Sequence, residues 1–462
     1  MKRRLLLTAC AALLAGCRLP VQPPPQPTLV VPPAWHSQVG PGAPVERDWW
    51  HAFADPALDR LVAQALARNN DVRTAQARLA EYRARIQVAR SAQEPSLSVG
   101  LSPTRARAIG PFGTPIDSTV MQGSFQAAYE LDPFGRLAGV TDAARFDYAA
   151  QQATFDATAL AVAANTASGY LNLRGLDAQL ALARATLASR QRSLELARRQ
   201  FEVGYSSRLE LSQAEAEYRA TAAVVPQLER AITQQENALD ILAGANPGPV
   251  ERGTELARLD APAIQPGLPS ELLRRRPDVA AAERAVAAAD ASLAAARDQM
   301  LPSLRLTASL GAYAHDLPTL LHSPTALWSV GGSILAPLFD GGRLRAQAEI
   351  SASLRDRAVF AYEAAVRNAF ADTENALAAV QRLREQLDEV EARRVAAAEV
   401  LRIAHNRYRN GYSSYLEELD AQRNAFSAET AALQLRAAWL QAHVDLYRAL
   451  GGGWAPAPAA RG

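Results

Sequence analysis

The chain has 462 residues, 49 Lys and Arg against 47 Asp and Glu, a formal charge of +2 at pH 7 and two cysteines. So even a charge balance gives no electrostatic case for nucleic acid, and so few cysteines exclude a disulfide-framed fold. No run of 18 or more apolar residues occurs, so no helix of this chain spans a bilayer, and any membrane crossing must be made by β-strands.

In chain order, the first feature is an export signal. Lys2, Arg3 and Arg4 precede an apolar run over residues 5–15, which closes in Leu14-Ala15-Gly16-Cys17. That pattern is a bacterial lipobox and predicts removal of residues 1–16 and acylation of Cys17, the one covalent lipid expected here. Removal takes away Lys2, Arg3, Arg4 and Cys10, leaving a formal charge of −1 and a single cysteine. Arg18 follows, rather than an aspartate that would resemble an inner-membrane retention signal, so the outer membrane is favoured. The Pro-rich stretch 20–44 reads as an extended tether within a lipidated N-terminal segment, 17–54.

From residue 71 onward the chain repeats itself at a constant offset of 207. Asp71-Val72 returns as Asp278-Val279, Pro95-Ser96-Leu97 as Pro302-Ser303-Leu304, Gly135-Arg136-Leu137 as Gly342-Arg343-Leu344, and Gly244 as Gly451. The two copies are 55–244 and 271–451, one supersecondary unit used twice. The first copy opens with a helix and continues into strands. Ser96-Leu97-Ser98-Val99-Gly100-Leu101-Ser102 and the stretch 124–131 alternate polar and apolar residues, giving a β-hairpin within 96–131. Residues 103–118 carry Pro, Gly and polar residues and are expected to be its loop, leaving strands of about 8 to 12 residues, a tilted bilayer span.

Next comes a proline-free run, 137–203, rich in Ala, Leu, Arg, Gln and Glu, predicting one helix roughly 100 Å long. Gly204-Tyr205-Ser206-Ser207 follows, then a helix over 207–243, with Gly204 in the left-handed position that ends a helix. Ser207-Arg-Leu-Glu210 is a capping box. So short a link makes the two helices antiparallel, with a tight tip between them. Segment 245–270 separates the copies. The second copy repeats the pattern: helix, hairpin 303–338 with a loop at 314–326, helix 344–410, tip Gly411-Tyr412-Ser413-Ser414, capping box Ser414-Tyr-Leu-Glu417 and helix 414–450, before a Gly- and Pro-rich tail, 452–462. The polar face of the strands carries Gln126, Glu130 and Arg305 between small residues, as in a wet lumen. Four strands cannot close a barrel, for which about eight is the practical minimum, so at least two chains must share one.

Three motifs carry a resemblance: Tyr129-Glu-Leu-Asp-Pro-Phe-Gly-Arg136, Leu268-Pro-Ser-Glu-Leu-Leu-Arg-Arg-Arg-Pro-Asp-Val279 and Pro337-Leu-Phe-Asp-Gly-Gly-Arg343. With Asp48-Trp49-Trp50, Asp55-Pro56 and Asn69-Asn70-Asp71, they resemble the NodT-type branch of the TolC-like outer-membrane efflux lipoproteins over nearly the whole chain. The resemblance implies an α+β membrane protein, a homotrimer with a shared 12-stranded transmembrane β-barrel, four strands from each chain. Below the barrel it implies a periplasmic tunnel of coiled-coil helices, with a mid-tunnel domain from 245–270 and the termini. It further implies an exit duct docked on a periplasmic adaptor and fed by an inner-membrane pump of the resistance-nodulation-division class. The eight residues of the two tips, Gly204, Tyr205, Ser206, Ser207, Gly411, Tyr412, Ser413 and Ser414, would meet the adaptor. Glu417 and Asp420, three apart on one helix face, would form carboxylate rings at the periplasmic gate. Their first-copy counterparts are Glu210 and Gln213, so the two hairpins differ in charge, and Pro226, opposite Leu433, would kink one hairpin only.

The alternatives are a duct for another exporter class, such as protein secretion, or a lipid-tethered coiled-coil scaffold, which leaves the strand alternation without a purpose. An enzyme is not expected. The six histidines show no metal-ligand spacing, and neither Gly-x-Ser-x-Gly, His-Glu-x-x-His nor a phosphate-binding loop occurs, so neither metal nor cofactor is expected.

Overall fold

The structure, a computed structural model, describes residues 23, 25, 28–37, 42–261 and 263–455. Cys17 and the leader, and residues 456–462 of the tail, lie outside the described residues. In chain order the elements are α1 (Pro56–Arg68), α2 (Asn70–Ser91), β1 (Ser96–Ile109), β2 (Pro115–Leu131), α3 (Arg136–Glu202) and α4 (Arg208–Leu242). The second copy supplies α5 (Pro269–Arg275), α6 (Pro277–Asp298), β3 (Ser303–Ala314), α7 (Leu317–His322), β4 (Thr325–Leu335), α8 (Arg343–Arg409) and α9 (Tyr415–Ala449). Among the described residues no helix is long and apolar enough to cross a membrane.

Contacts divide the chain into two units. The first, built around Ala84–Asp147 and Glu283–Glu363, holds one antiparallel four-stranded sheet in the order β1-β2-β3-β4. Its register sorts the side chains onto two faces. Val99 lies opposite Phe125, Phe125 opposite Leu310, and Leu310 opposite Trp328, so these residues form one apolar row. All four are exposed in the single chain, Trp328 at 76%. The other face carries small and polar side chains, with Glu130 paired to Arg305 across the β2–β3 ladder and ion-paired to Arg136, 2.5 Å away. Asp132 in the Asp-Pro-Phe-Gly-Arg motif starts α3, its carboxylate accepting the Ala138 amide at 2.8 Å; Asp340 does the same for α8 through the Leu344 amide, at 2.8 Å.

The strands correct the expected loop boundaries. Residues 103–109 and 115–118 are strand, not loop; β1 and β2 run to 14 and 17 residues and turn within 110–114. Proline ordinarily signals a turn, yet Pro103 lies within β1, in register with Met121 of β2. Between β3 and β4 the connection is not a plain loop but holds α7, capped by Asp316, which accepts the Thr319 amide at 2.8 Å.

The second unit comprises Val30–Arg83, Tyr148–Ala282 and Ala364–Gly462. Asp55, fully buried, ties three stretches of chain together. It caps α1 through the Ala57 amide (2.9 Å), accepts the Tyr170 hydroxyl of α3 (2.9 Å) and accepts the Thr254 amide (3.0 Å). Such a carboxylate is affordable in a core only because every lone pair meets a donor. Beside it Trp49 stacks on Tyr447 at 5.0 Å. Segment 245–270 is held down by Arg252, which reaches Glu236 and Asp177, and by Arg436, which donates to the Leu256, Ala257 and Leu259 carbonyls. The N-terminal segment joins it through a parallel bridge, Ala43 to Ile264, and through the Trp35 indole donating to the Gly267 carbonyl at 2.8 Å.

Within this unit the helices pair as two antiparallel hairpins. Asn172 meets Gln235 and Arg184 meets Glu229, so α4 returns along α3. The Thr373 hydroxyl reaches the Ala449 carbonyl while His405 meets Glu418, so α9 returns along α8. The hairpins also touch each other, since Gln434 of α9 bonds Gln179 of α3 at 3.1 Å. A Cβ placed on Gly175 of α3 would stand 2.9 Å from the Ala437 Cβ of α9, so only glycine allows this approach. Pro226 lies inside α4, which continues through it.

Candidate functional site

The two tips share a backbone and differ in side chains. At each, glycine takes φ +74°, ending the helix in the left-handed conformation. Tyr205 donates its amide to Gln200 and Tyr412 to Arg407, at 2.7 and 2.9 Å, the closing bonds of the same cap. Tyr205 and Tyr412 point into solvent, 79% and 78% exposed, with Leu209 and Leu416 exposed beside them. The hydroxyls of Ser206 and Ser413 are buried without a partner.

At the first tip Ser207 caps α4, its hydroxyl accepting the Glu210 amide at 3.2 Å. The second capping box does not form. Ser414 makes no side-chain cap bond, and the Glu417 amide goes to the Ser414 carbonyl instead. The Glu417 carboxylate turns to Arg407, 3.4 Å away. Arg407 stands where the first copy has neutral Gln200. Asp420 is exposed on the same turn of α9 as Glu417 and accepts the Asn424 amide at 3.1 Å. Neither acid is consumed by the core.

Just behind these acids lies a network missed in the sequence. Leu194 and Ala197 of α3, Ala214 of α4, and Tyr415 and Leu419 of α9 form a small core at which the hairpins meet. Buried in it, Arg190 of α3 faces Glu217 of α4 at 3.8 Å, and Arg423 of α9 donates to the same Glu217 carboxylate, with Nε at 2.7 Å. The Arg190 Nε and Nη1 atoms and the Tyr415 hydroxyl have no hydrogen-bond partner. Burial pushes the Arg190 guanidinium below its ordinary value, with Glu217 opposing, and pushes the Tyr415 hydroxyl up to about 12. Tyr408 of α8, likewise raised to about 12 by burial, bonds Gln200 of α3 at 3.1 Å. On the far side Glu418, 3% exposed, is held by His405 at 2.8 Å and Gln422 at 2.9 Å.

One signal in the sequence could have revealed this network. Counting 207 between copies, Arg190 answers to Ala397, Glu217 to Asn424, Arg423 to Ala216, Glu418 to Leu211 and His405 to Arg198. Arg190, Glu217, Arg423 and Glu418 each stand opposite an uncharged residue in the other copy. No group of His, Cys, Asp and Glu among the described residues could hold a metal ion.

Comparison with known proteins places this architecture. A model of the outer membrane efflux protein family matches residues 61–245 and again 268–452, each end shifted by the same 207 residues. The chain belongs to the outer membrane efflux protein family. It is similar to the toluene efflux pump outer membrane protein TtgC of Pseudomonas putida, at 34% identity over 98% of this chain and 96% of that one. The pyoverdine export outer membrane protein OpmQ of Pseudomonas putida is equally similar, 34% identical over 98% of each chain. Among solved structures, the open-state MtrE outer membrane channel of Neisseria gonorrhoeae superposes with a TM-score of 0.83 at 32% identity, covering 95% of this chain and 98% of MtrE. This member is an outer-membrane channel component of efflux, not an enzyme. Channels of this fold are trimers, and the sheet with free edges at β1 and β4 is one third of a shared 12-stranded barrel.

Proposed function

We propose that the protein is a passive exit duct, gated at its second helical tip, in a tripartite efflux system whose energy comes from an inner-membrane pump of the resistance-nodulation-division class. The observation that carries this reading is the asymmetry of the tips. The second hairpin presents Glu417 and Asp420 as exposed acids, engaged only at the surface by Arg407 and Asn424, and is fastened to the first by the Arg423–Glu217 contact, which the repeat does not share. Threefold repetition makes each acid a ring of carboxylates that concentrates negative charge at a constriction. Breaking the Arg190–Glu217–Arg423 cluster frees the hairpin to swing. The exposed pairs Tyr205 with Leu209 and Tyr412 with Leu416 give a periplasmic adaptor paired aromatic and aliphatic anchors on the tips formed by Gly204, Ser206, Ser207, Gly411, Ser413 and Ser414. A lipid on Cys17, joined by the Pro-rich tether, adds an anchor in the outer membrane.

The cargo is set by the pump. Relatives named for toluene efflux and for pyoverdine export are equally similar to this chain, so the duct sequence does not separate those substrates. A photo-crosslinking amino acid at Tyr205 and at Tyr412 should trap a coexpressed adaptor, while one at Trp328 on the sheet should not. Absence of tip crosslinks, or equal crosslinking from the sheet, refutes the docking assignment.

A further inference from the structure

The outward face of the sheet holds a feature that conduction does not use. Along β2 the apolar face runs from Leu131 through Tyr129, Ala127 and Phe125 to Met121. Ten steps of antiparallel strand extend about 34 Å, which at a tilt near 45° gives a band about 25 Å tall, the height of a membrane-facing belt. On β1 the same face carries Leu97, Val99, Leu101 and Pro103, all lying opposite members of that β2 row or its glycine, Gly123. The next two outward positions of β1 are Arg105 and Arg107, opposite Thr119 and Asp117. The apolar belt thus ends in two arginines on the lipid side, at the strand end remote from α2 and α3 and hence at the outer surface.

These arginines are not neutralised by the protein. Both are exposed, and Arg105 has no ion pair among the described residues. Arg107 meets only Asp117, at 3.8 Å and with both side chains more than 60% exposed, a weak pair. In the closed barrel β1 must pair with a copy of β4, and β4 bears no charge. The connection before it has one carboxylate, Asp316, already engaged by the Thr319 amide and by His315 at 3.0 Å. Two guanidinium groups one strand step apart, level with the headgroups, suit the bidentate geometry of phosphate oxygens. We propose that Arg105 and Arg107 bind the phosphate groups of a lipid headgroup in the outer leaflet, three such sites ringing the barrel.

The test is native mass spectrometry of the detergent-solubilised trimer titrated with diphosphorylated lipid A, with fully dephosphorylated lipid A and with inorganic phosphate. The diphosphorylated lipid should remain bound, the dephosphorylated form should not, and millimolar inorganic phosphate should not displace the lipid. Arg105→Gln with Arg107→Gln should weaken binding about thirtyfold, taking each cation near a headgroup surface at its usual contribution. Asp117→Asn, which removes a competing carboxylate, should strengthen it. The Arg105→Lys, Arg107→Lys pair keeps the charge and should bind at an intermediate level, which separates loss of the site from loss of fold. Equal retention of the two lipids, undiminished binding by the double glutamine variant, or displacement by inorganic phosphate overturns the assignment.

Discussion

Glu217→Gln is the substitution with the clearest consequence. Glu217 serves two arginines whose surroundings differ: the Arg190 side chain is 5% exposed and the Arg423 side chain 55%. Removing the carboxylate leaves Arg190 buried with its nearest anion gone and two of its nitrogens already unpartnered. Breaking a buried pair from one side costs about 3–5 kcal/mol; glutamine still accepts a hydrogen bond, so we take about 3 kcal/mol, roughly a 150-fold shift toward the released tip. Arg423→Gln removes only an exposed partner and should cost about 1 kcal/mol or less, about fivefold. Hydrogen exchange of the amides over residues 411–425 reads the release directly. Protection should fall by about two orders of magnitude in Glu217→Gln and by less than one in Arg423→Gln. Arg190→Met combined with Glu217→Gln should recover most of the loss, because the stranded charge is gone. Equal losses in the two single variants, or no recovery in the double, would refute a buried-charge fastening.

His443 gives a pH signature. Burial pushes its imidazole below the ordinary value, outweighing the Trp439 carbonyl and Asp260. Its contribution to stability is therefore complete above the unfolded value near 6.5 and declines as pH falls below it toward the folded value. The apparent melting temperature should drop between pH 7 and pH 5, and His443→Gln should flatten that part of the profile; an identical slope in the variant contradicts the assignment. Gly175→Leu should force α3 from α9 at the Ala437 contact and destabilise the helical unit by about 1–3 kcal/mol, read by denaturant melting. An unchanged midpoint would mean that the approach is not tight.

Much of the fold was legible because repetition and periodicity report backbone geometry. A proline-free Ala-rich run can only be a long helix, and Gly204 and Gly411 mark its ends because an L side chain resists φ +74°. Strand ends were less legible. Pro103, Arg105 and Arg107 resemble a loop in composition, yet they occupy the part of β1 that leaves the apolar belt. The site was half legible. Glu417 and Asp420 could be placed on one face, but not the diversion of Glu417 to Arg407, which depends on a side chain across the turn. Arg190, Glu217, Glu418 and His405 read singly as solvated charges on long helices. The burial of Arg190 and Glu418 follows from packing between helices, which local pattern does not encode.

Single-channel recording of the purified trimer in planar bilayers, comparing the wild type with Asp420→Ala, tests the central claim most directly. A duct gated by carboxylate rings at its second tip should pass discrete currents with a preference for cations. Asp420→Ala should weaken that preference or raise the open fraction, while the corresponding first-copy change, Gln213→Ala, does neither. Conductance, selectivity and gating that are identical in wild type and Asp420→Ala would contradict the account.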